Sequence, residues 1–173
     1  SLVFKAHEGT YLVGAIAAMK TKTNQIGFIG GMNIPLLHSF EAGYRAGAKA
    51  INPEIKVYAD YAGVTPQAFS DPAKGKELAL AQYNKGADVI LAAAGSTSLG
   101  ILEAAKEKKK YIIWVDANGN HLAPGLVLTS MIKGVEFSVY QTIQRVVEGN
   151  FTGGTKVYGL KEGGVEYIVD TDN

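Results

Sequence analysis

From Gln25 onward the chain alternates two textures, short apolar runs closed by glycine and longer stretches with apolar residues at helical spacing. The run IGFIGG (Ile26 to Gly31) leaves no solvated face, which predicts a strand buried on both sides and feeding a helix. That helix follows in IPLLHSFEAGYRAGAKAI, with Leu36, Leu37, Phe40, Tyr44, Ala48 and Ile51 in register, and Asn52 with Pro53 stops it. IKVYADYAG reads as the second strand. Asp71 and Pro72 form a cap and first-turn pair for PAKGKELALAQYNKG, and Gly86 stands where a helix C-terminal glycine belongs. ADVILAAAG (Ala87 to Gly95) is the third strand, with nothing polar from Val89 to Ala94. A helix in TSLGILEAAKEKKK then leads to the strands YIIWVD and GLVLTSMIK. EFSVYQTIQRVVEGN predicts a helix with Phe137, Tyr140, Ile143 and Val147 along one side. The tail TKVYGLKEGGVEYIVD changes character: two alternating segments around Lys161 to Gly164 predict an antiparallel hairpin. At the other end, LVFKAHEGTYLVGAIAAMK reads as the end of a strand and a helix already under way, so Ser1 is expected to lie within a longer protein.

This alternation defines an α/β fold, a three-layer arrangement in which helices cover both faces of a parallel sheet. Ligands of such sheets collect beyond the carboxyl ends of the strands. The segments to inspect are therefore the strand exits: 30–35, 63–72, 95–98, 116–120 and 130–134.

Composition narrows the chemistry. A length of 173 residues with 47% hydrophobic content suits one ordinary core. Seventeen basic and sixteen acidic side chains leave a net charge of +1, which gives no footing for nucleic acid. The absence of cysteine removes disulfides, thiolate metal sites and cysteine nucleophiles together. No window reaches the roughly 18 uninterrupted apolar residues of a membrane span, and a soluble unit is expected.

Asp116, which closes the apolar strand YIIWVD, is the sharpest candidate. It either caps a turn with Asn118 and Gly119 or works at the crevice. Lys133 ends the next strand, so both charges should face the same space, where a carboxylate can accept two hydrogen bonds from neighbouring sugar hydroxyls. Gly95, Ser96, Thr97 and Ser98 lie between a buried strand and a helix start, where the hydroxyls cap the helix or hold a polar ligand. Phe69, in the loop VTPQAFSDP, either plugs the core or stacks on a flat ligand. Trp114, in a strand body, is expected to pack, and the lysines of KEKKK to form a solvated helix end. His7, His38 and His121 have no metal-ligand spacing, although His38 can border the crevice. No dinucleotide or P-loop glycine motif and no GxSxG elbow occurs.

Several long phrases carry a likeness: IGFIGGMNIPLLHSFEAGYRAGAKAINPEIKV, FSDPAKGKELALAQYNKGADVILAAAGSTSLGILEAAKEKKKY and VLTSMIKGVEFSVYQTIQ. They resemble the basic membrane protein family of substrate-binding lipoproteins, whose purine nucleoside receptor branch serves ABC importers. The resemblance implies the C-terminal lobe of a type I periplasmic-binding fold. Residues 1–24 would be a remnant of the N-terminal lobe, 25–150 the ligand-binding lobe and 151–173 a β-hairpin tail. It also implies that Asp116 and Lys133 hold the ribose hydroxyls, that Gly95 lets the ligand approach the backbone, and that Phe69 stacks on the base. The full-length parent would be anchored to the membrane, extracytoplasmic, and partnered by a transporter permease. The resemblance implies that its lipid-bearing cysteine and most of the first lobe would lie outside these residues.

The function expected is non-catalytic binding of a purine nucleoside, with no cofactor, metal or nucleic-acid partner. Two alternatives remain: a ligand-sensing domain of a transcriptional regulator on the same scaffold, and an enzyme acting on a sugar or nucleoside. The enzyme would need a base and a nucleophile where only an acid and a lysine are found. Apolar surface left uncovered by a missing lobe also predicts self-association of this chain.

Overall fold

Helix and strand alternate as the hydrophobic pattern predicts, and the layers follow from which side chains each strand sends to either face. The computed structural model describes residues 1–169. Its elements are β1 (Leu2–Phe4), α1 (Ala6–Lys20), β2 (Gln25–Met32), α2 (Pro35–Ile51), β3 (Lys56–Gly63), α3 (Pro72–Asn84), β4 (Val89–Ala93), α4 (Ser98–Lys108), β5 (Tyr111–Asp116), β6 (Val127–Lys133), α5 (Val135–Val147), β7 (Lys156–Tyr158) and β8 (Val165–Tyr167). Six strands form the main sheet in the order β3-β2-β4-β5-β6-β8, parallel except for β8 at one edge. In β4, Val89, Leu91 and Ala93 face α1 and α2, whereas Ile90 and Ala92 face α3 and α4. Every residue of this strand is buried, as its unbroken apolar run requires.

Local signals act where the sequence puts them. The Asp71 carboxylate accepts the Lys74 amide at 2.9 Å with Pro72 at the first helical position of α3. Gly86 follows the same helix at φ +109°, a conformation that favours glycine. A buried carboxylate that periodicity does not single out, Asp88, ties the α1–β2 connection: it accepts hydrogen bonds from the Thr21 hydroxyl and from the amides of Lys22 (2.8 Å) and Thr23 (3.2 Å).

Two expectations about the chain ends are corrected. Residues 1–24 do not stand apart from the lobe built by residues 25–150. Helix α1 buries Ala6, Val13, Ala17 and Ala18 in the core shared with α2 and the sheet, while β1 pairs with β7 outside that sheet. The tail forms no hairpin either. Strand β7 pairs in parallel with β1, setting Phe4 against Tyr158 with ring centroids 5.7 Å apart, while β8 pairs antiparallel with β6. A turn at 159–164 carries the chain from one sheet to the other, closed by the Gly164 amide on the Gly159 carbonyl at 2.8 Å. Alternation discloses which face a strand buries but not which strand lies beside it. Asp170 and the three residues after it, which the expected hairpin included, lie outside the described residues.

Helix α5 forms as predicted, yet its apolar side is uncovered. Phe137, Tyr140, Ile143 and Val147 are 43%, 67%, 57% and 80% exposed, and only Ser138 of the helix is buried.

Helices α1 and α2 approach so closely that glycine is required at the crossing. A methyl group at Gly47 would overlap the Tyr11 carbonyl, and one at Gly43 the His7 carbonyl, both rigid helix backbone. Gly47→Ala is therefore expected to destabilise the fold by about 1–3 kcal/mol, despite alanine's higher helix propensity, as read from urea unfolding.

Candidate functional site

The carboxyl ends of β4, β5 and β6 and the turn after β3 converge on one rim of the sheet. Parallel pairing sets Asp116 opposite Ile132, so the next residue, Lys133, can reach it from the neighbouring strand. Lys133 Nζ lies 2.8 Å from Asp116 Oδ1. The carboxylate is 57% exposed and the lysine side chain 24%, the lysine resting near the Phe40 ring. Asp116 is also one of three non-glycine residues with positive φ among those described, at +71°. That backbone costs roughly 1–2 kcal/mol for an L-residue. A half-exposed ion pair returns about 0–1 kcal/mol, so the pair alone does not account for the strain.

Phe69 ends a 3-10 turn, 66–69, that follows β3. Its ring lies against Gly31, where any side chain would overlap it. The turn is fastened to the segment after β4 by two hydroxyls. Ser96 Oγ donates to the Phe69 carbonyl at 2.9 Å; Thr97 Oγ1 donates to the Ala68 carbonyl and accepts the Asp71 amide, each at 2.8 Å. Neither hydroxyl makes a side-chain cap on α4, contrary to the capping reading. Gly95 adopts φ +58°, and a Cβ there would come within 3.0 Å of the Phe69 carbonyl.

The structure thus brings all four candidate residues together. Asp116, Lys133, Gly95 and Phe69 line one hollow of about 150 Å³, walled by Leu36 and Phe40 among others. Two further hollows adjoin it, and Asp116 lines each. One, of about 350 Å³, runs past Ser96, Ser98, Leu99 and Trp114; the other, of about 490 Å³, past Asn118, Glu136, Phe137 and Glu166. Trp114, expected only to pack, is half-buried and forms part of a wall. His38 lies outside the shared hollow, 2.6 Å from Asn33 Oδ1 and edge-on to the Tyr61 ring. Tyr61 in turn donates to Glu41 at 2.6 Å. Burial alone would raise the Glu41 carboxyl, but Tyr61 and Arg45 outweigh it and hold it below its ordinary value.

Sequence reasoning missed the support behind Asp116. Ser130 Oγ donates to Asn120 Oδ1 at 2.8 Å and accepts the Gly119 amide at 3.0 Å, anchoring the loop that leaves β5. The signal was Ser130 itself, a polar residue in the strand segment GLVLTSMIK whose hydroxyl would need a partner once buried. A separate groove of about 460 Å³ between α1 and α2 includes Tyr11, Ala42 and Ala46, and none of the four candidate residues lines it.

A layered lobe with converging polar groups at the carboxyl rim of a parallel sheet is the architecture of solute-binding α/β proteins. The family described as "ABC transporter substrate-binding protein PnrA-like" matches residues 1–173, and the chain belongs to it. It is 41% identical to "Basic membrane protein A" of Borreliella afzelii over 96% of this chain and 51% of that protein. Identity is 40% to "ABC transporter nucleoside-binding protein BmpA" of Lactococcus lactis, over 98% of this chain and 52% of that protein. Among solved structures, an ABC transporter solute-binding protein from Aeropyrum pernix matches with a TM-score of 0.87 and 33% identity, over 98% of this chain and 49% of that one. A transcriptional activator of the comK gene from Bacillus halodurans matches at 0.86 and 25%, over 96% and 56%. The chain spans about half the length of the curated relatives it matches.

The hydroxyl tie between the two turns gives a test. Thr97 is fully buried, so Thr97→Val strands the Ala68 carbonyl and the Asp71 amide without changing side-chain volume. A loss of about 1–3 kcal/mol is expected in urea unfolding, and Ser96→Ala, at an exposed hydroxyl, should cost less.

Proposed function

We propose that this chain is one lobe of the solute-binding component of an ABC importer and that it grips purine nucleosides without transforming them. The observation that carries the reading is the Asp116–Lys133 pair, 2.8 Å apart and lining the same hollow as Phe69. Asp116 accepts from the two ribose hydroxyls, Lys133 donates to one of them, and the Phe69 ring meets the flat base. Gly95 keeps the wall thin between the base and the turn that holds Phe69. This chemistry needs an acceptor, a donor and a stacking face, and no proton transfer. The printed name of the Lactococcus relative, a nucleoside-binding protein, agrees with it.

The rest of the site belongs to a second lobe. Strands β1 and β7 make a parallel pair with no further partner strand among the described residues, and parallel pairs of this kind occur inside larger, covered sheets. Helix α5, tied to β7 by Lys156 Nζ on Gln141 Oε1 at 3.3 Å, presents its uncovered apolar side in the same region. We assign β1, β7 and α5 to the join between lobes. Closure of the two lobes would then seal the ligand at the rim. Left without that cover, the same apolar surface favours self-association of this chain. The parent protein works outside the cytoplasm, held at the membrane beside its permease; no helix among the described residues is long and apolar enough to cross a bilayer.

The match to the comK activator favours a second reading, a ligand-sensing domain of a regulator, which would use the same rim. In the protein with both lobes, Asp116→Ala is expected to lower inosine affinity by about 100-fold, the loss of two charge-assisted hydrogen bonds, with the melting transition nearly unchanged. Calorimetric titration checks this, and an unaltered affinity contradicts the assignment.

A further inference from the structure

Beyond the base and the sugar, the rim carries a charge pattern that the ribose contacts do not use. The hollow on the far side of the ion pair from Phe69 holds Glu136 and Glu166 as well as Asp116 and Lys133. Register fixes part of this arrangement. Asp116 pairs with Ile132 and Ile132 with Glu166, so the two acids lie in one row across β5, β6 and β8, roughly 10 Å apart at about 4.8 Å per strand. Glu136 stands in the first turn of α5, the end of the helix that otherwise attracts anions.

The site thus has two features suited to a phosphate, Lys133 and the start of α5, and each is offset by an acid. Lys133 is engaged by Asp116 and the α5 terminus is met by Glu136. Glu166 adds a further negative charge facing the same hollow. Three carboxylates against one ammonium and about half a unit of helix charge leave this side of the cleft negative.

We propose that Glu136 and Glu166 are specificity-determining residues that exclude phosphorylated ligands, so that the site takes nucleosides and rejects nucleoside 5′-monophosphates. The inference rests on the nucleoside reading above and adds to it a charge filter on the sugar's free end. With the base against Phe69 and the ribose hydroxyls at the Asp116–Lys133 pair, the space on the other side of the pair receives the 5′ substituent. A hydroxyl there meets the carboxylates as a hydrogen-bond donor. A phosphate meets them as a like charge, at separations where the penalty is about tenfold or more in affinity at low ionic strength. Both acids are exposed, so salt should weaken the filter.

The test is the ratio of two dissociation constants, for inosine and for inosine 5′-monophosphate, measured by calorimetry on the full-length protein. The expected ratio favours inosine by at least about tenfold at low salt and shrinks at high salt. It should also shrink by about tenfold in the Glu136→Gln/Glu166→Gln variant, with circular dichroism and the melting transition reporting the fold. The single Glu166→Gln variant, on an edge strand, should give an intermediate ratio. A 5′-substituted nucleoside that is bulky but neutral should bind far better than the monophosphate. Equal affinity for inosine and its monophosphate in the wild type overturns the proposal and leaves the nucleoside reading standing. So does an unchanged ratio in the folded double variant, or equal rejection of the neutral bulky ligand, which would make size the filter. Failure of inosine itself to bind overturns both.

Discussion

The register between β5 and β6 is the constraint on which this site depends. By setting Asp116 beside Ile132 it lets Lys133 reach a carboxylate that terminates a buried strand. The pair is worth little to stability, because its carboxylate is more than half exposed, and Asp116 is nevertheless held in a left-handed backbone conformation. Strain at a weakly stabilising pair is what a group placed for binding would show.

Around that pair the fold supplies rigidity by linking strand exits to one another. The Ser96 and Thr97 hydroxyls fasten the Phe69 turn to the exit of β4, and Ser130 with Asn120 fastens the exit of β5 to β6. Each tie is a hydrogen bond between two segments that would otherwise be independent loops. Their joint effect is to fix an aromatic face, an acceptor and a donor about one hollow, which would lower the ordering cost of the proposed binding.

Much of this was legible in the chain. The unbroken apolar runs gave the strands of the parallel sheet, and the strand exits gave the four residues that share the hollow, because both follow from periodicity and from a general rule about parallel sheets. What escaped were relations between distant segments. The partner of β7 is β1, more than 150 residues earlier, and no local pattern encodes such a pairing. Thr97 looked like a helix cap because capping is the commonest local use of a threonine there, yet its hydroxyl serves a turn 29 positions away. The helical period of α5 was legible, but not that its apolar side lies uncovered by any element among the described residues.

A crystal structure of the full-length protein grown with inosine would test the central claim most directly. The account predicts both ribose hydroxyls within hydrogen-bond distance of Asp116, with Lys133 Nζ on one of them and the base lying against the Phe69 ring. Inosine seated elsewhere, for instance in the groove between α1 and α2, with the Asp116–Lys133 pair untouched, would contradict it.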